Sequence, residues 1–294
     1  MKDFEYAAAA TVDEAVSLLA ARGDRARVLA GGTDLIVQLR EHLRDADLVV
    51  DVKRIPEVNQ LTRTRDGGLL LGAAVPAVRI YREESIARDY GGLVDAARII
   101  GGWQIQSRAS IGGNLCNSSP AADSIPPLIA TSAVCHIAGP SGTRHVPVAE
   151  FCTGPSRNVL ERGELLVSLE LPPQPPRSGS YYLRFIPRNE MDIAVAGAAA
   201  WIELDAAGTT ILSGRIALAA VAPTPVYAEE ASRSLAGRPA DETTYATAGE
   251  LAKPAARPIS DMRGPADYRR HLVGVLVRRA LVGAVERARA RGTA

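Results

Sequence analysis

Two stretches of this 294-residue chain set a pair of glycines directly before polar, donor-bearing side chains: Ala30-Gly31-Gly32-Thr33-Asp34 and Ser110-Ile111-Gly112-Gly113-Asn114. The first follows a short apolar run, Arg27-Val28-Leu29-Ala30, and leads into an apolar and polar stretch from Leu35. That pattern reads as strand, glycine turn and helix. Such a turn offers backbone N–H groups with no helical acceptor, and glycine lets an anion come close at the favourable end of the helix dipole. Each stretch taken singly also reads as a plain tight turn, and neither matches G-x-G-x-x-G or the P-loop. Two of them about 80 residues apart suit an extended dinucleotide, whose pyrophosphate takes donors from both sides.

The second stretch carries further side chains. Asn114, Asn117, Ser118, Ser119 and Asp123 lie within ten positions, broken by Pro120. They form either a solvated loop, with Asp123 capping a short helix that follows, or a set of ligands. In the second case Ser110 and Asn114 serve a phosphate or ring, and Ser119 and Asp123 serve hydroxyls of a sugar chain. Gly67-Gly68 fits a hairpin turn and Gly91-Gly92 a helix boundary. Among the four histidines, His136 and His145 flank a predicted turn and face each other either as an exposed hairpin pair or as a metal or catalytic pair. No Ser-His-Asp or paired-carboxylate pattern is present.

The elements that must hold these residues fall on either side of 172-PPQPPRSGS-180, read as a linker because four prolines in five residues continue neither helix nor central strand. Before it, Thr11 and Glu14 make a T-x-x-E capping box for a helix that Gly23 stops, and Leu48 to Val52 reads as a strand. Residues 61–73 form a hairpin about Asp66-Gly67-Gly68, and residues 133–148 form another about 139–142. Helices follow Pro76 and Gly91-Gly92, and a short one follows Asp123. The start of 107–130 is too polar and glycine-rich for a regular element. After the break, 181–186, 193–204 and 210–221 read as three antiparallel strands, and 266–291 as a final helix. From Arg263 onward that region holds eight arginines against Asp267 and Glu286, either a solvated basic face or a docking surface for a partner.

Composition narrows the class. The chain is 47% hydrophobic and 23% charged, with 34 basic and 33 acidic side chains, so it is globular and its length suits two domains. A net charge of +1 excludes a surface built for nucleic acid and leaves the protein free to associate. Three cysteines, Cys116, Cys135 and Cys152, have neither disulfide-framework nor zinc-ligand spacing. With no hydrophobic leader and no membrane span in the sequence, a reducing, cytoplasmic setting is expected.

The segments AGGTDLIVQLR (30–40) and RASIGGNLCNSSPAADSIPPLIA (108–130) together resemble the FAD-binding medium subunit of the molybdenum hydroxylases. This is the family of xanthine dehydrogenase, carbon monoxide dehydrogenase and 4-hydroxybenzoyl-CoA reductase flavoproteins. The resemblance continues through AEFCTGPSRNVLERGELLVSLELP (149–172), RNEMDIAVAGAA (188–199) and DMRGPADYRRHLVGVLVRRAL (261–281), over essentially the whole chain. It implies an α+β fold: a two-lobed FAD-binding domain of the PCMH type over 1–175, with lobes of about 1–57 and 58–175, then a smaller domain over 176–294 built from a three-stranded antiparallel sheet and a helical bundle.

By position, the resemblance places Leu29, Ala30, Gly31, Gly32, Thr33, Asp34 and Leu35 in a first pyrophosphate loop, and Ala109, Ser110, Gly112, Gly113 and Asn114 in a second. It gives Asn117, Ser119 and Asp123 to the ribityl and sugar side, and Ile100 to the flavin ring. Arg184 stands where some relatives carry a lysine near the ring; a surface salt bridge is the other reading of it. The 4-hydroxybenzoyl-CoA reductase branch has an inserted four-cysteine segment for an extra cluster. Here 131–155 is short, so no cluster is expected in this chain. The implied activity is electron transfer by one non-covalent FAD, with no catalytic side chain required because the cofactor carries the redox chemistry. The implied partners are a molybdopterin-containing large subunit, a [2Fe–2S] small subunit, and NAD⁺ or a quinone-like acceptor. A stand-alone flavin oxidase or reductase of the same fold is the alternative, and the intact glycine loops argue against a scaffold without FAD.

Overall fold

The computed structural model describes residues 1–292. The chain opens with a small parallel sheet of β1 (Glu5–Ala8), β2 (Ala26–Leu29) and β3 (Leu48–Asp51), in the order β1-β3-β2. β3 is buried along its whole length because it is central and covered on both faces. Helix Val12–Arg22 connects β1 to β2. Thr11 Oγ1 accepts the Glu14 N–H at 3.1 Å, while the Glu14 carboxylate accepts the Ala10 N–H at 2.8 Å, one residue earlier than in a standard capping box. Helix Leu35–Arg40 connects β2 to β3, so the first glycine loop lies at the C-terminal end of β2 and starts that helix.

The second sheet is antiparallel, with strands β4 (Leu61–Arg63), β5 (Leu69–Gly72), β6 (Val134–Gly139) and β7 (Gly142–Pro147). After it, β8 (Cys152–Gly154) and β9 (Arg157–Asn158) make a two-stranded ribbon. β10 (Leu165–Leu171) then returns to the middle of the sheet, giving β4-β5-β10-β6-β7. Both predicted hairpins are present. β10 went unread as a strand, although its LLVSLEL is a short apolar run, because such runs show no clear period. Helices Gly91–Ile99, Ile111–Asn117 and Ile125–Ala130 supply Leu93, Ile111, Leu115 and Leu128 to a core shared with Leu71, Ile80, Tyr90 and Phe151.

Helix Ile111–Asn117 corrects the expectation that no regular element begins there. Ser110 Oγ accepts the Gly113 N–H at 3.1 Å, and Ile111 and Leu115 are fully buried. A Cβ at Gly112 would stand 2.5 Å from that of Ala73, so the glycine that weakens the helix locally is what lets it pack on the sheet.

The third sheet is β11 (Ser178–Phe185), β12 (Ala196–Leu204), β13 (Ile211–Ala219) and β14 (Val226–Tyr227), antiparallel in sequence order. The three expected strands therefore gain a short fourth. The expected linker also shrinks, because Ser178, Gly179 and Ser180 pair with Glu203, Ile202 and Trp201. A Cβ at Gly179 would lie 2.3 Å from the Ala284 carbonyl oxygen, so a small residue admits the final helix, Ala266–Arg291, against the strand. That helix buries Val273, Val277, Ala280, Leu281 and Ala284 in a core of its own with Ile202, Ile216 and Leu218.

Arg269, Arg287 and Arg291 of that helix turn inward, while Arg270, Arg278, Arg279 and Arg289 stay on its exposed face. Arg269 pairs with Asp261 at 2.6 Å and donates to the Val195 and Ala220 carbonyls; Arg287 forks onto Asp95 at 2.6 and 2.8 Å. Arg291 lies 3.3 Å from Asp89, and Arg278 pairs with Glu242. No helix among the described residues is long and apolar enough to cross a membrane.

Candidate functional site

A cleft of about 770 Å³ runs between the first sheet, the helical layer of the second, and the end of β11. Ala30, Gly31, Gly32, Thr33, Asp34 and Leu35 line it from one side; Ala109, Ser110, Gly112, Gly113, Asn114, Asn117, Ser119 and Asp123 line it from the other. Ile100 and Arg184 also line it. Of the residues expected there, only Leu29 is displaced. Its side chain packs with Leu39, Ala46 and Val49 instead.

The two glycine loops meet backbone to backbone. A Cβ at Gly31 would lie 2.0 Å from the Arg108 carbonyl oxygen, a separation no side chain tolerates. Gly32 has φ +78°, in the left-handed region. Among the described residues, the amides of Gly32, Thr33, Asp34 and Leu35 donate to no protein acceptor, as an anion cradle requires. Asn117 closes the contact: its Nδ2 donates to Asp34 Oδ1 at 3.3 Å, and its Oδ1 accepts from Gln38 Nε2 at 3.1 Å. Burial pushes the Asp34 carboxyl above its usual range. Asn114 Oδ1 accepts from Ser124 Oγ at 2.7 Å, and Ser119 Oγ accepts the Ala121 N–H at 3.3 Å, so both are oriented before any ligand arrives.

Around Arg184 the cleft wall joins β11 to the turn at Asp123 and the end of helix Gly91–Ile99. Asp123 does not cap the helix that follows it. Its carboxylate accepts from Tyr182 Oη at 2.8 Å and from Arg184 Nη1 at 2.5 Å, while Arg184 Nη2 donates to the Ile99 carbonyl at 3.0 Å. The Asp123 and Arg184 side chains are 7% and 8% exposed, which sets aside a surface salt bridge. Burial pushes the Asp123 carboxyl up to about 6, although Arg184 and Tyr182 both act to lower it.

Sequence reading missed several lining residues, among them Gln38, Asp192, Ile193 and Arg27. Arg27 stands in β2 just before the glycine loop, and that position was the available signal. Its Nε is buried without a hydrogen-bond partner, and burial, then the nearby Arg44, lowers its pKa. Tyr182 was also missed, although it sits two residues from Arg184 on the same face of β11.

The remaining reactive side chains make no second site. Cys116, Cys135 and Cys152 are free, and burial pushes the Cys116 thiol up to about 12. His136 and His145 pair across the β6–β7 hairpin with rings stacked at 4.3 Å, and His136 Nε2 lies 3.0 Å from Glu170. Among the described residues, no group of three or more His, Cys, Asp or Glu side chains is arranged to hold a metal ion.

Residues 2–174 match the model of the FAD binding domain in molybdopterin dehydrogenase, and residues 181–284 match that of the CO dehydrogenase flavoprotein C-terminal domain. The chain belongs to this flavoprotein family. It is 34% identical to the xanthine dehydrogenase FAD-binding subunit of Escherichia coli O157:H7, over 97% of each chain. It is 32% identical to the carbon monoxide dehydrogenase medium chain of Afipia carboxidovorans, over 98% of this chain and 97% of that one. Reconstituted CO dehydrogenase from Oligotropha carboxidovorans superimposes with a TM-score of 0.92 at 31% identity, covering 97% of this chain and 99% of that one. The CO dehydrogenase of Hydrogenophaga pseudoflava that lacks the Mo-pyranopterin moiety gives the same TM-score at 31% identity, with 97% and 98% covered.

The flavoprotein is thus an oxidoreductase subunit whose cofactor is FAD, and its fold is the α+β arrangement expected. The cleft fits that cofactor. Unengaged amides and the partnerless Arg27 Nε suit a pyrophosphate, while Ile100, Ile105 and Ile193 supply apolar surface for a ring.

Proposed function

We propose that the chain is the electron-transfer subunit of a molybdenum-containing hydroxylase or dehydrogenase, holding one FAD that receives electrons from a [2Fe–2S] partner and passes them to NAD⁺ or a quinone-like acceptor. The observation that carries this reading is the backbone contact between the two glycine loops, whose unengaged amides belong to residues lining a cleft of about 770 Å³. Bound FAD supplies two-electron redox chemistry and can also pass electrons singly.

The residues of the chain bind and orient it. Gly31, Gly32, Thr33 and Asp34 with Ser110, Gly112, Gly113 and Asn114 hold the pyrophosphate, and Arg27 adds a positive charge. Asn117, Ser119 and Asp123 serve the ribityl and sugar side, and Ile100 and Arg184 flank the ring. We assign the cofactor domain to 1–175, with lobes of about 1–57 and 58–175, and the C-terminal domain to 176–294, whose last two residues lie outside those described. A molybdopterin subunit carries the organic substrate, and the complex works in the cytoplasm.

Reconstitution with FAD and removal of free cofactor tests the reading. A bound flavin spectrum at one FAD per chain is expected, and its absence overturns the proposal. Affinity capture of the flavin-loaded chain from its own cells should recover iron–sulfur and molybdenum subunits. A chain that instead reduces O₂ to peroxide with a substrate and recruits neither is a stand-alone oxidase.

A further inference from the structure

Tyr182 belongs to no glycine loop and does not line the cleft, yet it is held with unusual care. It is 3% exposed, and its backbone N–H donates to Asp95 Oδ2 at 3.1 Å, on the carboxylate that Arg287 grips with both guanidinium nitrogens. Its hydroxyl reaches Asp123 Oδ1 at 2.8 Å through space that Gly197 leaves open; a Cβ at Gly197 would stand 2.7 Å from the Tyr182 Oη. The other Asp123 oxygen takes Arg184, whose second arm is fixed on the Ile99 carbonyl next to Ile100. Three side chains, two from β11 and one from the turn before helix Ile125–Ala130, thus form one satisfied chain of hydrogen bonds, ending at the part of the cleft assigned to the ring.

Resting on the FAD reading above, we infer that Tyr182 is a positioning residue for the flavin: through Asp123 it holds Arg184 as a neutralised ion pair at the ring. A flavin ring gains negative charge on reduction, so an uncompensated arginine beside it favours the reduced form, and a paired one does so less. Tyr182 therefore sets how much of the Arg184 charge the ring experiences. The titratable and charged groups acting on Asp123 are Arg184 and Tyr182. Asp192, further along the cleft, is occupied by Arg188 at 3.6 Å and Arg263 at 3.9 Å.

Removing the hydroxyl takes away one of the two interactions that favour the ionised carboxylate, in a site where burial already opposes ionisation. In Tyr182→Phe, Asp123 takes up a proton near neutral pH and leaves Arg184 uncompensated. In Asp123→Asn the charge is absent at every pH.

The test is the reduction potential of bound FAD across pH 5 to 9, read from the visible spectrum against a reference dye. Wild type must first show bound flavin; failure there overturns the FAD reading, separately from this one. At pH 7 both Y182F and D123N are expected to shift the oxidised-to-reduced balance about tenfold toward reduced, which is roughly 30 mV for a two-electron couple. The pH profile of wild type should carry a step near pH 6 that moves upward in Y182F and vanishes in D123N. Potentials and profiles of both variants that superimpose on wild type overturn the inference. So does a shift in Y182F that D123N lacks, since it would not pass through Asp123. If Y182F does not fold, the wild-type step and its loss in D123N decide the matter alone: present, the inference stands, and absent, it fails.

Discussion

At Gly31 a methyl group would lie 2.0 Å from the Arg108 carbonyl oxygen, so alanine forces the two glycine loops apart at the proposed pyrophosphate site. At Gly113 the same methyl meets only Ser110 Oγ, at 2.8 Å, a single side-chain atom that can yield at the cost of one capping bond. Gly31→Ala is therefore expected to lower FAD affinity by tenfold or more, and Gly113→Ala by distinctly less, with far-ultraviolet circular dichroism unchanged in both. Fluorescence titration of the apo-proteins with FAD checks the order, and equal losses would place the tighter constraint elsewhere. Arg27 gives a second expectation at this scale. Its Nε is buried and unpaired, so Arg27→Met should cost FAD affinity while leaving the unloaded chain as stable or more so. The glycine loops stood out in the sequence because glycine, serine and asparagine act mainly through their own backbone and short side chains, and both loops line the cleft. Gln38, Asp192 and Tyr182 were illegible, since each reaches the cleft or its wall from a segment whose local pattern says nothing of it.

At the scale of elements, the β6–β7 hairpin stacks His136 on His145 with Glu170 beside them. Burial, then the facing His145, lowers the His136 pKa, so the folded chain binds a proton there less readily than the unfolded chain. Stability from this pair is present above the usual histidine range and is lost as pH falls through it. The fall in melting temperature between pH 8 and pH 5 should thus be smaller in His145→Gln than in wild type; an equal fall would remove the pair from the account of acid sensitivity. The final helix shows why element boundaries were harder to read than element types. Its apolar repeat was visible, but Ser178-Gly179-Ser180 read as linker, because small polar residues carry no strand signal. Only the helix lying 2.3 Å from a would-be Gly179 Cβ gives those residues their purpose. Gly179→Val should accordingly separate helix from strand and lower the melting temperature strongly.

For the molecule as a whole, the first two sheets and the third are joined by arginines of the final helix and of β13. Arg287 holds Asp95, Arg291 lies against Asp89, and Arg215 donates to the Ile129 and Ala130 carbonyls. Asp95→Asn leaves Arg287 without its carboxylate and is expected to cost roughly 1–3 kcal/mol in denaturant unfolding. Because Asp95 also accepts the Tyr182 N–H, the same variant should weaken FAD binding, and intact binding would show that the third sheet holds its place at the cleft without this tie.

What the sequence determined by itself was local: the capped first helix, both hairpins, the two glycine loops and the three long strands after the proline-rich break. Each is specified by neighbours in the chain, through turn chemistry or a period of two or 3.6 residues. Tertiary structure alone decided that Leu29 packs with Leu39, Ala46 and Val49, that Ile111–Asn117 is helical, and that Asp123 meets Tyr182 and Arg184 instead of capping a helix. Those outcomes depend on close contacts between segments some 40 to 60 positions apart in the chain, as from Gly112 to Ala73 and from Asp123 to Arg184. A local pattern carries no record of them.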